Sequence, residues 1–310
     1  MSALRLESPK KSLLKEIAKN KYIYIILIPG LLYYGIFCYG PMYGVLLAFK
    51  DFRANLGIWG SPFVGLEHYR YIFNDYEFWQ AFRNTIEISL SRIVFQFPVP
   101  IILALLINEL WDGKYKRFLQ TVFTFPNFLS WVIVSGIILN LLGSEGVVNR
   151  FYALFGAETQ MFLADRDLFR PLIYISDIWK SSGWVCIIYL ASITSISPEL
   201  YEASYMDGAN RFQRMLYITL PGIRSAIVLM LLLQVGNTMN AGFDQIFNMY
   251  NAAVLSVSDI LDTYIYRITF QTSGDFGFST AVGLFKSLIN FMLLVVFDRI
   301  AKLMGERGIF

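Results

Sequence analysis

Five charged residues lie inside strongly apolar stretches of this sequence: Glu87, Arg92, Asp177, Lys180 and Lys286. At membrane depth an unpaired charge costs at least about 2.5 kcal/mol, so such residues must face protein or water. They could form structural pairs or snorkel to an interface, or they could line a cation or proton pathway. Because no series of Asp, Glu and His residues recurs through several apolar stretches, as a proton relay would require, we favour structural pairing.

Two of the possible ion pairs are close in sequence. Asp177 and Lys180 are three residues apart, and Arg83 and Glu87 are four apart. Residues at these spacings lie on one face of a helix, so each couple could form a local pair.

The sequence contains no motif for covalent catalysis or nucleotide hydrolysis. The patterns G-x-x-x-x-G-K-[ST], H-E-x-x-H and G-x-S-x-G do not occur. His68 is the one histidine, and the two cysteines, Cys38 and Cys186, both lie in apolar stretches. These residues disfavour both a disulfide framework and a metal centre. We therefore do not expect an enzyme, and active transport would need an ion gradient or a separate ATPase subunit.

The elements that carry these residues are predicted to be membrane helices. Of the 310 residues, 56% are hydrophobic and 16% are charged, whereas an ordinary soluble domain has roughly 25% charged residues. This composition excludes a water-soluble globule. Because about 20 apolar residues in a helix cross the hydrocarbon core, we predict an all-α polytopic protein with six transmembrane helices. They lie at about 22–48, 84–108, 118–142, 169–193, 218–240 and 279–301. Pro98, Pro100 and Pro126 are expected to kink the second and third helices.

Positive charges alternate between the connections. The N-terminal segment, 109–117, 194–224 and the C-terminal segment carry 15 Lys and Arg residues, and the opposite connections carry eight. This bias predicts a multi-pass protein of the cell membrane with both termini cytoplasmic. The predicted units are a basic cytoplasmic segment at 1–21, a six-helix domain at 22–301 with a cytoplasmic loop at about 197–217, and a cytoplasmic tail at 302–310. The net charge of +3 is too small to indicate nucleic-acid binding.

The cytoplasmic loop has strong local helix signals. Ser197 suits an N-cap, Pro198 the first helical position, and Glu199 the first turn, where the helix dipole favours an anion. Gly208 can end that helix or turn the chain, and a second helix can then lead into the span that Pro221 opens. The result is a short helix along the membrane surface that presents a docking surface for a partner.

This loop resembles a known motif. The segment reads Glu202-Ala203-Ser204-x-x-Asp207-Gly208-Ala209, followed by Ile218-x-Leu220-Pro221. It is similar to the EAA loop of binding-protein-dependent ABC-transporter permeases, from which Ser204 departs while keeping a small side chain. The resemblance implies a coupling helix inserted in a cleft of a cytoplasmic ATPase, with a polar contact from Glu202 and a bend at Gly208. The implied coupling residues are Glu202, Ala203, Ser204, Asp207, Gly208, Ala209, Leu220 and Pro221.

Other segments extend the resemblance over nearly the whole chain. They include Pro126-Asn127-Phe128, Ile178-Trp179-Lys180-x-x-Gly183-Trp184 and Thr280-Ala281-Val282-Gly283-Leu284-Phe285-Lys286. These look like the oligosaccharide and polysaccharide permeases of carbohydrate uptake, in the maltose-type permease superfamily. The resemblance implies the type I ABC importer permease fold and no cofactor in this chain. It also implies four kinds of partner: a second homologous permease, two ABC ATPase subunits that bind ATP and Mg, an extracytoplasmic solute-binding protein and a saccharide.

A sugar path needs aromatic faces that stack on pyranose rings, together with amides and hydroxyls that replace water. Trp and Tyr also form interfacial belts, and amides also bridge membrane helices, so each candidate has a purely structural alternative. The sequence does not identify the sugar or its charge. The substrate-path candidates are Trp179, Trp184, Gln234, Asn237 and Asn240.

Two other classes of protein fit the sequence less well. A stand-alone secondary carrier or channel for a small polar solute predicts paired repeats of broken helices and an ion site at the midplane, and the sequence has neither signal. A membrane enzyme would need a nucleophile, a base or a set of metal ligands, which are also missing.

Overall fold

The computed structural model describes residues 19–111, 113–272, 274–303, 305 and 308. Within them, the β structure consists of one isolated bridge between Lys50 and Phe63. Apolar segments form helices because each backbone N–H and C=O group is then satisfied inside the segment. The helices are α1 (Lys21–Phe49), α2 (Glu67–Asn74), α3 (Tyr76–Asn108), α4 (Lys114–Thr124), α5 (Trp131–Leu142), α6 (Val147–Leu154), α7 (Arg166–Ile193), α8 (Pro198–Met206), α9 (Arg211–Gly222), α10 (Arg224–Gly236), α11 (Phe243–Met249), α12 (Leu261–Tyr266) and α13 (Phe276–Leu303).

Shorter segments of other helix types complete the secondary structure. π-helical segments lie within α1, α3 and α9, and a fourth directly follows α12. The π segments are Tyr34–Tyr39, Arg92–Gln96, Met215–Thr219 and Arg267–Thr272. The remaining one-turn segments are Gly57–Gly60, Phe125–Phe128, Thr238–Asn240, Ala252–Val254 and Leu255–Ser258, and the C-terminal part of α1, Gly40–Phe49, is a 3-10 helix.

The length and composition of the helices indicate which of them can cross a membrane. Four stretches of the described chain are long and apolar enough to cross a bilayer as they stand: α1, α3, Trp131–Leu154 and α13. Two further pairs meet the same test only together, α7 with α8, bent by 76°, and α9 with α10, bent by 61°. Counting each pair once gives six, so the prediction of an all-α polytopic protein is confirmed.

The third predicted span is not one continuous helix. The chain is extended at Leu129 and Ser130, between the turn that contains Pro126 and the start of α5. The Ser130 hydroxyl accepts a hydrogen bond from the Ile133 N–H and so caps α5. The expected proline kink is therefore a complete interruption three residues after Pro126, and the prediction of a single helix over 118–142 is wrong.

The fifth predicted span is also divided. It bends at Ile223, which is fully buried, and the straight segment α10 ends at Gly236 rather than at 240. Beyond it, Ala241 and Gly242 both adopt positive φ angles, of 44° and 77°. These left-handed residues redirect the chain into α11.

The buried core is organised around α3 and α7. One cluster joins Ile88 of α3 and Phe169 of α7 to Ile246 of α11. A second joins Phe78 of α3 to α2, α12 and α13, and a third joins the far end of α3 to α7 and Ile223. By contrast, α1 buries no residue between 21 and 39. Both central helices are thus held on several sides, which positions the polar groups they carry.

Ion pairs connect the elements at one end of the bundle. Arg83 pairs with Glu87 at 2.6 Å, as their spacing allowed. Glu87 also accepts a hydrogen bond from Arg170 of α7, whose guanidinium donates a second one to Asn84. This network ties α3 to α7.

A second network at the same end joins α3 to the segment after α12. Arg267 bridges Glu77 and Asp259 at 2.8 and 2.7 Å. Burial raises the pKa of Asp259, although the hydrogen bonds from Thr263 and Arg267 act in the opposite direction.

Two parts of the sequence-based prediction involve residues outside the described chain. Most of the basic N-terminal segment, residues 1–18, and most of the tail after Leu303, including Arg307, are not described. The division into a basic segment, a membrane domain and a tail therefore stays a prediction.

Candidate functional site

The exposed helix α8 forms the first part of the candidate site. It begins at Pro198, as predicted, with Ser197 at the N-cap position, although the Ser197 side chain makes no capping hydrogen bond. None of its residues is buried, and Leu200 and Met206 are 54% and 89% exposed. An exposed helix that carries large apolar side chains beside charged ones fits a docking role better than a core role.

The turn after α8 depends on one glycine. Gly208 has a φ of +75°, a conformation that a residue with a Cβ adopts only at a cost of about 1 kcal/mol or more. Its N–H bonds the Tyr205 carbonyl, and the Ala209 N–H bonds the Ser204 carbonyl at 2.9 Å. This pair of bonds is a Schellman motif, which ends the helix sharply.

A second helix starts directly after this turn. Asn210 and Gln213 form a reciprocal capping box at the beginning of α9, with hydrogen bonds of 2.9 and 2.8 Å. The Tyr201 hydroxyl lies 2.9 Å from the Thr219 hydroxyl, so α8 is also fastened to the middle of α9. These hydrogen bonds hold α8, the turn and α9 together as one unit.

The predicted coupling residues occupy one exposed region and its attachment to the bundle. Glu202, Ala203, Asp207 and Gly208 are exposed, and Ser204 and Ala209 are half-buried. Leu220 and Pro221 lie farther on, where α9 approaches its bend. Their predicted role in coupling depends on a partner chain and stays a prediction.

The second part of the candidate site is a central cavity of about 890 Å³. Its wall combines residues of α3, α5, α7, α10, α12 and α13 with the left-handed turn at 241–242. The volume is within the range of small-molecule sites, roughly 300–1,000 Å³.

Three of the five predicted substrate-path residues lie in this wall: Gln234, Asn237 and Asn240. The two tryptophans do not. Trp184 packs edge-on against Phe128 with ring centroids 6.0 Å apart, and Trp179 is 52% exposed. Both belong to α7, which contributes Asp177 to the cavity wall. Trp179 and Trp184 therefore do not line this cavity, and their place in a substrate path stays a prediction.

The buried charges pair across helices rather than along them. Asp177 accepts a hydrogen bond from Arg92 of α3 at 2.8 Å, and the two side chains are 15% and 11% exposed. Lys180 instead donates to the Asn127 carbonyl at 3.0 Å and lies 5.5 Å from the centre of the Trp131 ring. The local pair of Asp177 with Lys180 does not form, because these two side chains contact different neighbours of α7.

Two backbone features make room for the Arg92 guanidinium. Arg92 begins the π-helical segment of α3, and it also donates to the Gln245 side chain. A Cβ on Gly242 would stand 2.6 Å from the guanidinium carbon, so a larger residue there would displace the guanidinium, and the φ of +77° also favours glycine. π-helical segments often occur at functional positions because they redirect a side chain.

A second ion pair forms another part of the cavity wall. Lys286 of α13 binds Asp262 of α12 at 2.5 Å and donates to Asn240 at 2.8 Å. The Lys286 and Asp262 side chains are 14% and 22% exposed. Asp262 lies outside the predicted membrane spans, so a search for charges within apolar stretches does not find this partner of Lys286.

Aromatic rings complete the wall. Trp131 begins α5, and Tyr266 and Phe270 come from α12 and the π-helical segment that follows it. Sequence spacing did not predict this arrangement, because Trp131 lies more than 130 residues before Tyr266 and Phe270. With the amides and ion pairs, they make a surface that can both stack on a ligand and hydrogen-bond to it.

Comparison with known proteins identifies the family. The model of the family described as "Binding-protein-dependent transport system inner membrane component" matches residues 96–306. The chain belongs to this family. This match, with the relatives and solved structures described next, confirms the prediction of a sugar ABC-transporter permease and of its membrane fold.

Two curated relatives of the permease are from Bacillus subtilis (strain 168). The polygalacturonan/rhamnogalacturonan transport system permease protein YteP is 42% identical over 302 residues, 97% of this chain and 94% of the relative. Protein LplB is 44% identical over 293 residues, which cover 94% and 92% of the two chains.

Two solved structures of a bacterial alginate ABC transporter have the same fold. The one in complex with an alginate pentasaccharide-bound periplasmic protein has a TM-score of 0.88 and 33% identity, and covers 96% of this chain and 100% of that chain. The other, described as involved in import of the acidic polysaccharide alginate, has a TM-score of 0.87 and 34% identity, covering 94% and 99%.

Proposed function

We propose that this chain is one of two permease subunits of an ATP-driven importer that moves an oligosaccharide or polysaccharide across the cell membrane. A second, homologous permease forms the other half of the path, and two ABC ATPase subunits bind ATP and Mg on the cytoplasmic side. An extracytoplasmic solute-binding protein delivers the sugar. Both termini of this chain and the connection between α7 and α10 are on the ATPase side, in accordance with the distribution of positive charge.

The exposed unit of α8, Gly208 and α9 is the observation that carries the proposal. The capping box at the start of α9 and the hydrogen bond between the Tyr201 and Thr219 hydroxyls make it a rigid lever. A displacement of α8 by an ATPase would pass through α9 to the bend at Ile223 and so to α10, which lines the cavity. Closure of the ATPases can thus rock the membrane helices between inward-facing and outward-facing states.

The chemistry of the cavity supports a saccharide as the substrate. Amides at Gln234, Asn237 and Asn240 can replace the water around sugar hydroxyls, and the rings of Tyr266 and Phe270 can stack on pyranose faces. The names of YteP and of the alginate transporter concern uronate-containing polysaccharides, which makes this chemical class the first to be tested.

Reconstituted vesicles provide the test. The assembled transporter, purified through this subunit, is assayed for ATP-driven uptake of labelled neutral and uronate oligosaccharides. We expect uptake only with ATP. Replacing Glu202 with Ala should leave assembly intact and uncouple ATP hydrolysis from uptake, whereas Glu158→Ala, an exposed control in the connection after α6, should change neither.

Each part of the proposal can fail separately. Uptake that continues in ATP-free vesicles would refute the ATP-driven mechanism and favour a stand-alone carrier. ATP-dependent activity without transport of any sugar in the panel would refute the saccharide assignment alone.

A further inference from the structure

A basic pocket of about 430 Å³ lies between the end of α3, the start of α4 and the unit of α8 and α9. We use "basic pocket" for the concavity around Glu109, Trp111, Lys116, Arg211 and Arg214. It is separate from the central cavity, with which it shares no lining residue. Neither sugar stacking nor the coupling contact proposed for Glu202 involves these side chains.

The charges of the basic pocket favour an anion. Three cations and one carboxylate, Glu109, contribute to its described wall. Within the described chain, Arg211 and Arg214 form no ion pair with a carboxylate, and they lie three residues apart on the same face of α9. The guanidinium carbon of Arg214 lies 4.3 Å from the centre of the Tyr205 ring, a cation–π contact that still leaves the charge of Arg214 without a carboxylate partner in the described chain.

The pocket lies where the membrane helix α3 ends. The apolar sequence of α3 stops at Asn108, and Trp111 directly beyond it is 85% exposed. An exposed Trp at the end of a membrane helix is typical of the headgroup level of a bilayer, where basic side chains attract anionic lipids.

We infer that the basic pocket binds the phosphate group of an anionic phospholipid. The two arginines of α9 hold the phosphate oxygens. The lipid then links the connection between α3 and α4 to the unit that carries α8. Headgroup binding does not depend on the transported substrate.

Lipid binding to the assembled transporter tests this inference. The complex is placed in nanodiscs that contain phosphatidylglycerol diluted in phosphatidylcholine, and retained phosphatidylglycerol is counted by native mass spectrometry. Each basic residue near an anionic surface contributes about a fivefold gain in affinity, so Arg211→Gln/Arg214→Gln should weaken phosphatidylglycerol retention about 30-fold. Arg150→Gln, an exposed arginine outside the pocket, is the control and should leave retention unchanged.

Three outcomes would overturn the inference. Equal retention in the double variant and the parent would show that the arginines do not hold the lipid. Displacement of phosphatidylglycerol by millimolar inorganic phosphate would identify a site for free phosphate. Loss of the ATPase subunits from the double variant, with lipid retention unchanged, would assign the arginines to a protein interface.

Discussion

The pair of Arg92 and Asp177 allows a quantitative test of how this bundle is held together. The two side chains are 2.8 Å apart and 11% and 15% exposed. Replacing Arg92 with Met would leave the Asp177 carboxylate with one other described donor, the Ser181 hydroxyl at 2.8 Å. Breaking one side of a buried ion pair costs about 3–5 kcal/mol. Because this pair borders a cavity, we expect about 3 kcal/mol, the lower end of that range.

The double variant distinguishes a lost contact from an uncompensated charge. Adding Asp177→Asn to Arg92→Met removes the orphaned carboxylate and should recover about 2 kcal/mol of the loss. The free energy of unfolding can be measured by reversible denaturation of the purified subunit in mixed micelles.

Arg83→Met is the matched control on the same helix. Arg83 also pairs with a carboxylate, Glu87, at 2.6 Å, but its side chain is 79% exposed. Little change in stability is expected, since water replaces the lost partner. If Asp177→Asn instead adds its own full loss to that of Arg92→Met, the two residues act independently and the reasoning is refuted.

Two glycines give further predictions. In Gly183→Ala, the new Cβ would overlap the Phe123 carbonyl and stand 2.8 Å from the next backbone nitrogen, so α7 must move away from α4. We expect a clear fall in melting temperature, whereas Gly136→Ala, with no atom within 4 Å of its Cβ, should melt like the parent. Gly208→Val should weaken the turn after α8 by about 1 kcal/mol or more, and Gly208→Asn much less, because Asn tolerates positive φ. Equal proteolysis rates at this turn in both Gly208 variants would contradict that explanation.

Local sequence signals predicted the elements well where neighbouring residues supply the stabilising contacts. The start of α8 at Pro198 and the turn at Gly208 follow from backbone preferences within one segment. The pair of Arg83 and Glu87 follows from helical spacing. The interruption at Leu129 was not predicted, because an apolar run reads the same whether or not the helix is broken within it.

The candidate site was only partly predictable, because its residues come together through contacts between distant segments. Gln234, Asn237 and Asn240 were identified by residue type and line the cavity. Trp179 and Trp184 were chosen by the same criterion but do not line the cavity. Residue type alone does not tell which side of a helix faces a cavity.

By itself, the sequence determined that this chain crosses a membrane several times and that it turns sharply at Gly208, because hydrophobic transfer and backbone conformation are properties of contiguous residues. Only the tertiary structure decided that Arg92 pairs with Asp177, 85 residues away, and Lys286 with Asp262. Those contacts exist because packing around α3 and α7 brings distant segments to one cavity, where each buried charge must find a partner.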